Sequence, residues 1–293
     1  MRALTCLILV FSIFAATRCQ ATPAKAPNDT SESFIIAADS VSIAYETRGS
    51  GNTALVFVHG WCSDHTLWRE QLADLANDYL VVAIDLPGHG NSGHTRKEWS
   101  LSSFARDVKE LVESLSLEQV VLIGHSMGGL ISLEAARQLP ERVIGIIGVD
   151  TIGDVESEDQ PVMMDRVIAA FEHDFEGTMN AFMPRLFSPT ADSQLVRWAI
   201  EKSIQADSIM ALAIMREVFT LDEKRLLSSV DVPVRVIYAA SGDSIESRSF
   251  VETNKKYADF DAVFVQGVGH FLQLEKPNDI NRHLRTFLSE MEQ

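Results

Sequence analysis

Cysteine is nearly absent from this chain of 293 residues: there are three, Cys6, Cys19 and Cys62. Two of them fall in an N-terminal stretch unlike the remainder. The body of the chain therefore holds a single thiol and no internal disulfide framework, and Cys62 reads as a packed small residue. Basic charge is also scarce, with 25 Lys and Arg against 41 Asp and Glu, a formal net charge of −16. So acidic a surface repels phosphate backbones, which argues against nucleic acid as a partner. Beyond residue 21 no apolar run is long enough to cross a bilayer, and there are no internal repeats or low-complexity segments. What is present is ordinary globular usage, 46% hydrophobic and 23% charged, in a chain long enough for one large α/β domain or two small ones.

The first 21 residues have the layout of a secretory signal peptide. Arg2 precedes an apolar-rich run over 4–16, and small and polar residues follow it. That run is short of the ~20 residues a spanning helix needs. Cleavage after Ala21 would leave 22–33, with its Pro, Ser and Thr, as a flexible lead-in. An uncleaved anchor and acylation at Cys19 are the alternatives, although Arg18 stands where such acylation sites carry a small residue. The expectation is an exported protein, periplasmic or secreted.

From residue 34 onward short apolar runs alternate with helical patterns. Strands are expected at 34–37, 41–47, 54–58, 80–84, 120–123 and 143–149, with helices over 66–77, 101–115 and 129–139. This alternation predicts a mostly parallel sheet with helices on both faces. From 153 to 230 the strands stop, and four or five short helices are broken by Pro161, Pro184 and Pro189. Strand-like runs resume at 234–238 and 262–265, and 278–290 forms a final helix. The simplest arrangement is a core of 34–152 and 231–293 with a helical lid, 153–230, inserted after the sixth strand.

The most informative motif is Gly124-His125-Ser126-Met127-Gly128, between a β run and a helix. A G-x-S-x-G in that context is a nucleophile elbow. The turn is so tight that the serine adopts a strained backbone and its flanking positions need glycine. Serine is a poor nucleophile until a base takes its proton. His270, in a Gly-containing loop after the run at 262–265, is the candidate base.

Together with His59-Gly60-Trp61 after the third strand, the loop from Asp85 to Ser92 after the fourth, and Gly267-Val268-Gly269-His270-Phe271, these residues resemble the α/β-hydrolase superfamily from about residue 34 to the C-terminus. The resemblance implies a doubly covered sheet and a Ser–His–acid triad. It places the acid at Asp243, after the run at 234–238, with Asp150 at the end of the sixth strand as the rival. It also implies an oxyanion hole from the backbone N–H groups of Trp61 and Met127, and structural roles for Asp85, His59, His89 and His125. His65, His94, His173 and His283 read as loop or surface residues.

Serine at the elbow argues against the dehalogenases and epoxide hydrolases of this fold, which use aspartate there. No metal or organic cofactor is implied. Residues 153–230 carry six of the nine methionines, with Phe171, Phe175, Phe182, Trp198 and Phe219 at helical intervals. Most would pack that segment on the core, and some would roof an adaptable apolar pocket. No Arg or Lys cluster suggests an anionic substrate. The expected activity is hydrolysis of small, uncharged, partly apolar esters through an acyl-enzyme. The same triad also serves carbon–carbon, thioester or lactone hydrolysis and perhydrolysis, or a slow-turnover ligand-binding or signalling protein.

Overall fold

Residues 31–157, 161–240 and 246–291 are described by the computed structural model. In chain order the strands are β1 (Ser31–Ile36), β2 (Ser42–Arg48), β3 (Thr53–Val58), β4 (Leu80–Ile84), β5 (Gln119–His125), β6 (Val143–Val149), β7 (Val234–Ala240) and β8 (Phe260–Gln266). They form one eight-stranded sheet in the order β1-β2-β4-β3-β5-β6-β7-β8. Only β2 runs antiparallel to its neighbours; the strands from β4 to β8 are parallel.

Buried β-branched and aliphatic runs at the centre explain this order. Leu55, Val56, Phe57 and Val58 of β3 have no exposed surface, nor have Leu122 and Ile123 of β5 or Ile146 and Ile147 of β6. Strands so apolar on both sides must be covered on both faces. The cover comes from α1 (Arg69–Leu75), α2 (Leu101–Ser114), α3 (Met127–Gln138) and, later, α11 (Pro277–Met291). In α2, Leu101, Phe104, Ala105, Val108, Leu111 and Val112 are buried, one stripe at helical spacing. Ser100 caps it in a reciprocal box with Ser103, each side chain taking a backbone N–H that the first turn leaves without an intrahelical partner. On α11 the stripe is Ile280, Leu284, Phe287 and Leu288.

Between β6 and β7 the chain forms α4 (Pro161–His173), α5 (Phe175–Phe182), α6 (Ser193–Ser203), α7 (Ser208–Phe219) and α8 (Glu223–Leu227). Two further helices lie outside the expected pattern, α9 (Glu246–Asn254) and the one-turn α10 (Leu272–Glu275). The first strand starts at Ser31, inside the stretch expected as lead-in, because it pairs over its whole length with β2. The leader at 1–21 lies outside the described residues.

One buried ion pair holds the loop after β4 onto the core. Arg96 makes a fork to Asp107 of α2, with both N–O distances 2.7 Å, and its Nε donates to Asp39 at 2.7 Å. Burial works against the Arg96 charge, but the hydrogen bonds to Asp107 and Asp39 outweigh it and hold the guanidinium above its ordinary value. Asp107 is only 2% exposed, so deleting the cation would strand a buried carboxylate. Arg96→Ala is expected to lower unfolding free energy by about 3–5 kcal/mol in urea titration, and Arg96→Met with Asp107→Leu to recover most of that loss.

Candidate active site

The register of the central strands brings three chain segments to one edge of the sheet. Val58 of β3 lies beside Gly124 of β5, and Gly124 beside Gly148 of β6. The residues that follow these positions, 59–61, 125–127 and 149–151, therefore emerge side by side at the carboxyl ends of parallel strands, where open α/β sheets place their ligands.

Ser126 stands between β5 and α3 at φ 52°, ψ −125°, a left-handed conformation that a non-glycine residue holds only when its surroundings impose it. They do so by close approach. A Cβ on Gly124 would lie 2.3 Å from the Gly128 carbonyl oxygen, and one on Gly128 would lie 2.3 Å from that of Val58. Hydrogen bonds complete the frame: Ser126 N–H donates to Val149 O at 3.0 Å, and Thr151 Oγ1 donates to Ser126 O at 2.7 Å. The serine is left partly accessible.

His270, after β8, presents Nδ1 at 2.6 Å from Asp150 Oδ2. The sequence favours Asp243 for this contact with Asp150 as its rival; the contact present is the one to Asp150, and Asp243 lies outside the described residues. Asp150 is fixed from two sides. Its N–H donates to Ile237 O at 2.8 Å, and its Oδ1 accepts from Ala239 N–H at 2.9 Å. Its own φ of 47° ends β6. With Asp150 accepting from Nδ1–H, the imidazole has Nε2 free to accept a proton.

His125 stacks against His270 with ring centroids 4.6 Å apart, and its Nε2–H donates to the His270 carbonyl at 2.9 Å. Burial, with the neighbouring His270 adding to it, pushes His125 well below the ordinary histidine range. It is a neutral support. His59 plays the same part on the other side. Its Nδ1–H donates to Gly60 O at 2.8 Å and its Nε2 accepts from Leu86 N–H at 3.0 Å. The Gly60 carbonyl belongs to the same planar peptide as the Trp61 N–H, so the His59 ring orients that donor. Met127 is the first residue of α3, where the N–H has no intrahelical acceptor. The Trp61 side chain faces the inserted helices: Nε1–H donates to Ala211 O at 2.8 Å, and the ring meets Phe171 and Phe175 edge-on at 5.3 and 6.3 Å.

A cavity of about 250 Å³ opens over Ser126 and His270. Its floor is Trp61, His125, Ser126, Met127, His270 and Phe271; its roof is Phe182, Met183, Leu186, Met215, Val218 and Phe219. Among the described residues, no Asp, Glu, Lys or Arg lines it. Of the methionines in the insertion, Met183 and Met215 reach the cavity, whereas Met179 and Met210 are fully buried in the packing. Cys62 is buried too, and burial raises its thiol well above the ordinary range.

These features agree with the comparisons. The sequence model of a family described as alpha/beta hydrolase fold matches residues 53–207, more than half of the chain. The chain belongs to this family. A pimeloyl-[acyl-carrier protein] methyl ester esterase of Yersinia pseudotuberculosis is 26% identical over 253 residues, covering 83% of this chain and 96% of its own length. The dihydrolipoyllysine-residue acetyltransferase component of the acetoin cleaving system of Pseudomonas putida is 29% identical over 257 residues, 83% of this chain. The match spans 65% of that protein and 31% of its Cupriavidus necator counterpart. Among solved structures, an esterase from Exiguobacterium antarcticum superposes with a TM-score of 0.78 at 21% identity, over 89% of this chain and 99% of that one. A thermophilic esterase from Thermogutta terrifontis gives 0.76 at 23% identity, over 90% and 100%. The fold is therefore that of an α/β-hydrolase, and its relatives include ester-cleaving enzymes.

A cluster of charged groups around His65 in this α/β-hydrolase departs from expectation. His65 reads from sequence as a loop or surface residue, yet it is half-buried. Its backbone N–H and Nδ1 both contact Asp85 Oδ1, at 2.7 and 2.8 Å, and its Nε2 lies 3.6 Å from Glu46. Asp64 is close enough to complete a trio of metal-type ligands, but the Lys202 ammonium from α6 occupies its Oδ2 at 2.7 Å, and the cation needed there is already supplied. Burial opposes the His65 charge, but the hydrogen bond to Asp85 and the charges of Asp85, Asp64 and Glu46 raise His65 above its ordinary 6.5. Burial likewise opposes the Asp85 charge, and His65, His59 and the Asn91 N–H overcome it to hold Asp85 below 3.8. The raised histidine stabilises fully below pH 6.5 and is lost as pH rises through its higher folded value; the lowered aspartate is lost as pH falls through its own. Thermal melts across pH should show stability declining as pH rises above 6.5 and through the higher folded value of His65, and His65→Gln should flatten that decline.

Proposed function

We propose that the chain is an exported serine hydrolase that cleaves uncharged, partly apolar carboxylic esters. Ser126 attacks the carbonyl carbon while His270 Nε2 takes its proton, and Asp150 stabilises the imidazolium that results. The N–H groups of Trp61 and Met127 receive the oxyanion. Collapse of the tetrahedral intermediate transfers the proton to the leaving alcohol and leaves an acyl-enzyme on Ser126. Water, deprotonated by His270, then releases the acid and restores the serine.

The observation that carries this reading is the 2.6 Å contact between His270 and Asp150, at a cavity that also holds the left-handed serine. The chemistry needs nothing beyond these side chains and water. Relatives named as esterases support the ester over the other bonds a triad can cleave. An apolar roof of Phe182, Met183, Leu186, Met215, Val218 and Phe219 supports a neutral acyl or alcohol group, since an ion would lie there without a partner. In this reading α4 to α8 act as a lid. A volume of about 250 Å³ falls just below the ~300–1,000 Å³ usual for drug-sized ligands, which favours short and medium chains over long ones.

Hydrolysis of p-nitrophenyl esters from acetate to palmitate tests the reading. Wild type should turn over the shorter esters with saturation, and Ser126→Ala should lose on the order of 10⁴-fold or more in kcat. Asp150→Asn should cost on the order of 10²–10⁴-fold while Asp243→Asn stays near wild type; the reverse ranking would move the acid to Asp243. If wild type and Ser126→Ala behave alike on every ester, the esterase reading fails. Export rests on Arg2 and the apolar run over 4–16, and the chain isolated from its native host should begin near Thr22 on N-terminal sequencing.

A further inference from the structure

The loop that carries His270 is tied to the inserted helices by a carboxylate outside the triad. Glu275, the last residue of α10, turns back along its own loop, and its Oε1 accepts from the Gly269 N–H at 2.8 Å. The same carboxylate accepts from the Ser188 N–H, with both oxygens at 3.3 Å. Ser188 lies in the segment that leaves α5 for α6. One side chain thus holds a backbone donor from the histidine loop and another from the insertion.

Around this bridge the two segments run in contact. The His270 N–H donates to Leu186 O at 2.6 Å, next to the donor that Glu275 holds. Phe187 and Phe271 stack at 4.8 Å with their planes 17° apart. A Cβ on Gly269 would fall 2.3 Å from Leu186 O, so the approach is as close as a glycine allows. On the far side the His270 carbonyl accepts from His125. Lys276, beside Glu275, donates to Gln266 O at 2.6 Å and closes the other end of the loop. Leu186 also roofs the cavity. A shift of the 186–188 segment is therefore a shift of both the cavity wall and the backbone of the base.

We propose that Glu275 is a positioning residue: it couples the insertion to His270 and sets the base's distance to Ser126. The inference rests on the serine-hydrolase reading for its kinetic consequence, but the coupling itself is a property of the fold. Without the carboxylate, the Gly269 and Ser188 N–H groups lose their shared acceptor, and the two segments are held only by the His270–Leu186 hydrogen bond and the Phe187–Phe271 stack. A glutamine keeps one oxygen, placed to accept from Gly269 and Ser188, but sets its NH₂ against the Ser188 N–H, so its effect is intermediate.

The test compares wild type, Glu275→Ala and Glu275→Gln in ester turnover, thermal melting and amide hydrogen exchange of the full chain. A misplaced base slows chemistry more than binding, so Glu275→Ala should lower kcat by about 10- to 100-fold and change KM by less than about threefold, with Glu275→Gln recovering much of the loss. Exchange should rise together over 186–188 and 267–271 and stay unchanged elsewhere. Unchanged kcat and exchange would overturn the proposal. So would a loss of kcat matched by faster exchange over the whole chain, the mark of general destabilisation. A wild type that neither hydrolyses the esters nor reacts at Ser126 with a fluorophosphonate sinks the hydrolase reading instead. The paired change in exchange then still decides whether Glu275 couples the two segments.

Discussion

Everything at the site depends on holding one serine in a backbone conformation that it would not adopt alone. A left-handed non-glycine residue costs roughly 1–3 kcal/mol, and Ser126 at φ 52° is one. That cost is met by packing too tight to relax. Two glycines let β5, α3 and β3 approach within a Cβ's width, and the serine's N–H and carbonyl are both claimed by the end of β6 and the residue after Asp150. The strain turns the hydroxyl out of the sheet. The strands on either side of β5, apolar apart from Thr53, keep the carboxyl ends beside the turn dry and paired.

Features confined to a few consecutive residues were legible in the sequence; features assembled from distant segments were not. The bounds of β4 and β6 match their expected ranges, because short β-branched runs between turn residues have few other places to go. The elbow was legible because its chemistry and its sterics reside in five consecutive residues. For the partner of His270 the resemblance offers both Asp243 and Asp150, and choosing between them needs the strand neighbours: β6 pairs with β7, and His270 Nδ1 contacts Asp150. His65 was hidden for a similar reason, since its anions are Glu46, Asp64 and Asp85, brought together from strand β2 and from the loops after β3 and β4. Glu275 at a helix end looks like any solvated charge. The helix α9 escaped notice because its apolar contribution is small, chiefly Phe250 against Tyr238 and the buried Val251.

The inserted helices are fastened at the places where precision is needed. Trp61 reaches Ala211 of α7, Lys202 of α6 reaches Asp64, and Leu186 receives the His270 N–H. Arg69 of α1 lies over the Trp198 ring of α6 at 4.5 Å. A segment that merely covered a cavity would need apolar packing and little more. Polar ties to the loop after β3 and to the loop of His270 make the cover part of the frame. The acyl-binding wall and the backbone groups around the reacting atoms thus move as one unit in the proposed mechanism.

The two stacked histidines raise a question of charge that burial answers. At a ring separation of 4.6 Å, two imidazolium ions would repel by about 4 kcal/mol at an effective dielectric constant of 20. A charged His125 would therefore oppose the proton that His270 accepts from Ser126 in the proposed mechanism. Burial holds His125 well below the ordinary range, and its one donor is committed to the His270 carbonyl. Its Nδ1 has no partner among the described residues, a desolvation cost of about 1–3 kcal/mol for a polar atom left unpaired. Protonating that atom would exchange this cost for the larger repulsion. The pair is thus arranged so that, in the proposed mechanism, a single proton enters, on the ring that shares the cavity with the serine and is backed by Asp150.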